Sequence, residues 1–155
     1  MARAVMERHH VLQQNVGQES IILRELIDAG RFDINATENL LFLSRDEVIA
    51  EVTGTVRHAG NHAPIEAFQK SILNDFGIRP TPSGKTYAQL MELDSSVLSP
   101  AEKALRAQIF DQAEQLALDL RDYTAQSLLE GDLPLSKSDP RYAGLSDAAA
   151  DAAWR

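Results

Sequence analysis

Apolar positions along the chain follow two rhythms. In "VGQESIILRELIDAG", residues 16–30, Ile22, Leu23, Leu26 and Ile27 recur at helical spacing and Gly30 follows them. That spacing predicts one short helix with a glycine stop. In "RFDINATENLLFLS" the turn chemistry of "NATEN" precedes "LLFL", an apolar run short enough for a buried strand. A polar stretch containing Gly54 and Thr55 then leads into "HAPIEAFQKSILNDFG". There Ile65, Phe68, Ile72, Leu73 and Phe76 share one helix face, and Gly77 closes it. The prolines of "IRPTPSG" mark a loop, and "KTYAQLMEL" reads as a short helix. The clearest helix runs from Ser99 to Gly131. Ser99 and Glu102 form a capping-box pattern, Pro100 suits the first helical position, and Gly131 suits the end. From Asp132 onward the chain reads as an irregular tail with an alanine-rich end. The fold class is therefore α+β, mostly helical, with a small β element around residues 8–12 and 40–43.

Composition narrows the field. At 155 residues and 44% hydrophobic, the chain can bury one core of ordinary size. It has no cysteine, which removes disulfides and thiolate metal sites. No apolar run approaches the roughly 20 residues of a membrane span, and the N-terminus lacks a signal-peptide core. The expectation is a soluble chain with no membrane partner, and export, if any, by other machinery. The formal charge is -8. Residues 1–90 carry 9 Lys/Arg against 11 Asp/Glu, and the remainder 6 against 12, so most of the excess is C-terminal. That balance opposes broad, sticky nucleic-acid binding, which needs Lys/Arg on phosphates. It leaves room for a compact site with a metal ion and a few arginines, and it suits a basic protein partner.

The concentrated chemistry is histidine. All four lie in two clusters, His9-His10 and His58-x-x-x-His62. Four residues apart on a helix, His58 and His62 would face one way and could close on a divalent metal. Adjacent residues on an extended segment point to opposite sides, so one ring of His9-His10 can bind metal while the other faces a pocket as a base. His9, His58 and His62 together give three neutral nitrogen ligands with positions left open, as a catalytic metal needs. His10 is then a fourth imidazole free to take a proton. Between the clusters, Asn39 immediately precedes "LLFL".

This order of His-His, then Asn before a short strand, then His-x-x-x-His, resembles the ββα-metal (His-Me finger) fold of the HNH/endonuclease VII nucleases. The closest likeness is to the subfamily named for its Ala-His-His start, which occurs as toxin domains of bacterial secreted effectors. Arg8 stands in the alanine position, and Ile65 of "RHAGNHAPIEAF" stands where tyrosine is usual. The resemblance covers about residues 5 to 75. It implies a ββα-metal core over residues 1–78 and a helical extension over 79–155 packed on it. It also implies that His9, His58 and His62 hold a divalent ion (Mg, Mn, Ni or Zn) and that His10 is the general base. Asn39 would tie the loop to the segment carrying His10, and Arg8, Arg45 and Arg57 would contact phosphate. The implied activity is metal-dependent endonuclease action on DNA by the toxic domain of a secreted or injected bacterial effector. It would act in the target-cell cytoplasm, and an immunity protein would be its inhibitor. Two alternatives share the residues: an interaction domain with structural zinc, and an RNase on the same fold.

Other signals carry less. "PTPSGKT" has Gly84-Lys85-Thr86, but a phosphate loop needs glycine at position 79, which is Arg79. The carboxylates of "DQAEQLALDLRD" surround a helix whose apolar face is Leu105, Ile109, Leu116 and Leu120, which reads as a solvated helix.

Overall fold

A computed structural model describes residues 6–44 and 63–129, with side chains over 8–41 and 65–129. The elements are β1 (Met6–His10), α1 (Gln14–Glu19), α2 (Ile21–Asp28), β2 (Leu40–Ser44), α3 (Ala63–Gly77), α4 (Tyr87–Glu92) and α5 (Pro100–Leu129). Single 3-10 turns sit at Thr37–Asn39 and Ser95–Val97. The fold is α+β and mostly helical. Among the described residues no helix is long and apolar enough to cross a membrane.

β1 and β2 form a two-stranded antiparallel sheet, with His9 opposite Leu41 and His10 opposite Leu40. The expected strand over residues 8–12 is shifted to Met6–His10. Past His10 the Val11 N–H still reaches the Asn39 backbone carbonyl, but the Val11 carbonyl and both backbone groups of Leu12 go to buried side-chain amides, as described below.

The helix expected over residues 16–30 is two helices meeting at Ser20. Ser20 is extended (φ -83°, ψ 120°), and its hydroxyl caps α2 by accepting from the Leu23 N–H at 3.3 Å. Its own N–H donates to the Val16 carbonyl at 2.8 Å, so both helix ends are satisfied at one residue. Gly17 allows α1 to fold back onto α2, since a Cβ there would lie 3.1 Å from Ile27 Cδ1. Gly30 ends the pair in the left-handed region (φ +73°).

The predicted face of α3 is the buried one: Ile65, Phe68, Ile72, Leu73 and Phe76 are all inside. The capping box of α5 is formed in both directions, Glu102 N–H to Ser99 Oγ and Ser99 N–H to Glu102 Oε1, each 3.1 Å. One apolar cluster joins Leu12, Leu23 and Leu26 to Phe68 and Leu73, and these to Ile109, Leu116 and Leu120. Arg31, just past α2, pairs with Asp111 and with Glu114 (3.2 Å) on α5, and its guanidinium lies 5.8 Å from the Phe110 ring. Those acidic partners raise the Arg31 pKa, with the Asp111 hydrogen bond as the largest cause. The carboxylates of α5 thus include structural ion-pair partners.

The "PTPSGKT" loop is a closed turn. Pro80 bridges Thr86, and the Thr81 hydroxyl donates to the Lys85 carbonyl at 2.7 Å. Lys85 Nζ lies 2.6 Å from Glu102, while Thr86 and Gln89 cap α4. Its cation and its hydroxyl are occupied within the fold, away from any phosphate role.

Candidate active site

Strand alternation separates the first histidine pair. His9 is buried at 4% exposure, whereas His10 is half-buried and Arg8 is exposed. Arg8 and His10, two residues apart, leave the same face of β1, and His9 leaves the other.

His10 has one defined partner: its Nε2 lies 3.0 Å from Asn35 Oδ1. An amide oxygen only accepts, so with this partner a neutral His10 ring carries its proton on Nε2 and its lone pair on Nδ1. Asn35 owes its position to a small turn. The Asn35 N–H donates to Asp33 Oδ1 at 2.9 Å, and the Ala36 N–H donates to the Asp33 carbonyl at 3.1 Å. The sequence pattern alone assigns no role to Asn35. Its only local signal was Asp33-x-Asn35, an Asx-turn pattern.

Asn39 is fully buried at the end of the 3-10 turn. Its Oδ1 accepts from the Leu12 N–H at 2.8 Å. Its Nδ2 donates to the carbonyls of Leu12 (3.0 Å) and Ile34 (2.8 Å). Its backbone carbonyl accepts from the Val11 N–H at 2.8 Å. One residue therefore joins the two positions after His10 to the loop that presents Asn35.

A second buried amide approaches the same segment from α3. Gln69, also fully buried, donates through Nε2 to the Val11 carbonyl at 2.6 Å and accepts at Oε1 from the Gln13 N–H at 3.2 Å. Nothing local in "EAFQKSIL" marks it out, since its partners lie 56 and 58 residues away.

His58, His62, Arg45 and Arg57 lie outside the described residues. Of the three expected metal ligands, the described residues therefore include His9 alone, and they contain no group of three or more His, Cys, Asp or Glu able to hold a metal. His9 itself fits the role in chemistry: a buried imidazole on the strand face opposite His10. Nearby, Ile34 helps line an open groove with Gln14, Gly17, Gln18, Arg24, Ile27 and Asp28, which holds no histidine.

No curated protein and no solved structure matches the chain. A family model does match residues 1–76, ending one residue before the end of α3. Its description is a nuclease family of the HNH/ENDO VII superfamily with conserved AHH. The matched stretch contains the His9-His10 strand, Asn35, Asn39, Gln69 and both histidines of the second cluster. Over those residues the chain matches the AHH family, and the activity that this match implies is that of a nuclease.

Proposed function

We propose that the protein is a divalent-metal-dependent endonuclease that hydrolyses DNA phosphodiester bonds. The observation that carries this is His10, half-buried beside Arg8, with Nε2 engaged by Asn35 and Nδ1 left to accept a proton. In this reading Nδ1 takes a proton from water as the water oxygen bonds to phosphorus. The bond from phosphorus to the 3′-oxygen breaks, leaving a 5′-phosphate and a 3′-oxyanion that takes a proton from solvent to become the 3′-hydroxyl. Asn35 holds the ring's tautomer, Asn39 holds the strand end and loop together, and Arg8 contacts a phosphate on the same face. His9, His58 and His62 would hold the divalent ion, which when bound supplies positive charge against the phosphoryl and leaving oxygens. Arg45 and Arg57 are further phosphate contacts in the same proposal.

DNA is favoured over RNA by what the surface offers. The large apolar side chains exposed among the described residues are Ile78, Val97 and Leu129, none aromatic. Recognition of single-stranded RNA rests largely on aromatic stacking. The biological setting we propose is the toxic domain of a bacterial effector, secreted or injected, acting in the target-cell cytoplasm and neutralised by an immunity protein. The family match and the acidic charge, which suits a basic partner, support it.

The test is plasmid and RNA cleavage by purified protein with magnesium, manganese, nickel or zinc, with chelator, and beside His10→Ala. The expected result is metal-dependent nicking of DNA that falls roughly 100-fold or more in the variant, the usual range for a lost general base, while metal binding persists. Zinc binding without cleavage of either nucleic acid would replace the proposal with a structural metal site.

A further inference from the structure

Two residues, Asn39 and Gln69, hold most of the backbone groups of residues 11–13, four of them through their side-chain amides and one through the Asn39 backbone carbonyl. The Val11 N–H and both backbone groups of Leu12 go to Asn39, and the Val11 carbonyl and Gln13 N–H go to Gln69. The two clamps differ in what they join. Asn39 ties the segment to the neighbouring loop. Gln69 ties it to α3, whose first residue, Ala63, directly follows His62 in sequence. The Gln69 amide reaches one step further, donating to Thr124 Oγ1 on α5 at 3.4 Å. That hydroxyl in turn donates to the Leu120 carbonyl at 2.8 Å. Both ends of the buried amide are therefore committed, to the segment Val11–Gln13 and to α5.

We propose that Gln69 is a positioning residue for the nuclease reaction. It fixes the strand end bearing His10 relative to the helix that begins after His62, and it makes α5, beyond the family-matched region, part of the support of the site. The proposal rests on the reading of His10 as general base. Its physical basis is that catalytic groups must be held to within about 0.5 Å, and a misplacement of about 1 Å costs on the order of 100-fold in rate. His10 and Ala63, the first residue of α3, are 53 positions apart in sequence, and Gln69 cross-links the segment after His10 directly to that helix. A glutamine used only for stability would act equally on every readout; a positioning glutamine acts through His10.

The experiment is a double-mutant cycle on the full chain, with Gln69→Met and Gln69→Glu each made in wild-type and His10→Ala backgrounds. Met removes all the hydrogen bonds, whereas Glu keeps an acceptor for Gln13 and loses the donated ones. Rates are measured at a temperature where melting curves show every variant folded, together with manganese affinity and the ring 1H–15N correlations of His10. In the wild-type background kcat is expected to fall roughly 10- to 100-fold, with KM and manganese affinity within about threefold and the His10 ring signals shifted or broadened. In the His10→Ala background the same substitutions should change the residual rate by less than about threefold, because the group being positioned is gone. Equal losses in both backgrounds, no loss in either, or an unchanged His10 ring spectrum would overturn the proposal. If the wild-type protein cleaves nothing, the nuclease reading falls by itself, and the ring spectrum alone decides whether Gln69 holds His10. Gln69→Glu supplies the same decision if Gln69→Met does not fold.

Discussion

Replacing Asn39 by alanine removes three hydrogen bonds and leaves three backbone groups without their partner: the Leu12 N–H, the Leu12 carbonyl and the Ile34 carbonyl. The side chain is fully buried, so water reaches those groups only by entering the space the amide vacates. An orphaned buried polar group costs about 1–3 kcal/mol. Three of them, partly relieved by an entering water, predict a loss of about 3–5 kcal/mol, a large share of the roughly 5–15 kcal/mol that stabilises a typical domain. With a urea m-value of about 2 kcal/mol/M, the midpoint should fall by about 1.5–2.5 M, read by circular dichroism at 222 nm. Asn39→Asp sharpens the test. Its carboxylate can still accept from the Leu12 N–H, but it faces two carbonyl oxygens that previously accepted from the amide. The native carboxyl must therefore bind its proton more tightly than the unfolded one, whose pKa is about 3.9. The penalty is absent below that pH, where both states are protonated. It grows as pH rises, until the native group also ionises. Relative to Asn39→Ala, the Asp variant should thus recover stability on acidification. An Ala variant that loses under about 1 kcal/mol, or parallel pH profiles for the two variants, would refute the assignment of these bonds as the clamp on the strand end.

Three further outcomes are expected. In Asn35→Ala the His10 ring loses the acceptor that selects the Nε2–H form, so two-bond 1H–15N spectra should move from that single tautomer toward a mixture; an unchanged spectrum would mean that Asn35 does not orient the ring. Leu120→Ala empties a fully buried position on α5 and should cost about 2–5 kcal/mol in one cooperative transition, because the cluster it joins also contains Leu12 and Phe68; two separated transitions would show that α5 folds apart from the histidine strand. Glu102 has its pKa lowered to about 2, chiefly by the Lys85 hydrogen bond and next by the Ser99 backbone N–H. A depressed carboxyl contributes stability above its ordinary value of 4.5, lost as pH falls toward about 2. Glu102→Gln should therefore lie below wild type above about pH 5 and converge with it near pH 2; a gap independent of pH would refute the linkage.

Legibility in the sequence tracks how local each cause is. The face of α3 and the α5 capping box could be read because residues within a few positions of one another decide them. The break at Ser20 was missed because the apolar period rests on Ile22, Leu23, Leu26 and Ile27, all within α2, and the preceding residues were joined to it with only Val16 in support. The strand around His9-His10 was placed two residues late for a different reason. Val11 and Leu12 look like strand continuation, but the Val11 carbonyl and both backbone groups of Leu12 bond to side chains 27 to 58 positions away in sequence. Apolar pattern does not record such partners.

The same contrast explains the candidate site. Histidine is rare in this chain and clustered, so its positions stand out without a structure. Asparagine and glutamine are ordinary residues whose meaning depends on whether they are buried and what they meet. Asn39 stands out for its place before an apolar run, whereas Asn35 reads only as part of the "NATEN" turn and Gln69 does not stand out at all. Yet the described geometry gives the amides the organising part. Asn35 bonds Nε2 of His10, Asn39 joins the loop to the strand end, and Gln69 joins that strand end to α3 and α5. A buried amide suits this work because it carries donor and acceptor on one rigid plane and no charge whose burial would need a counter-ion. The extension beyond residue 76 then has a physical reason to be present. Its helix α5 shares one apolar cluster with α3, sets the Tyr123 ring 5.8 Å from that of Phe68, and through Thr124 meets the Gln69 amide.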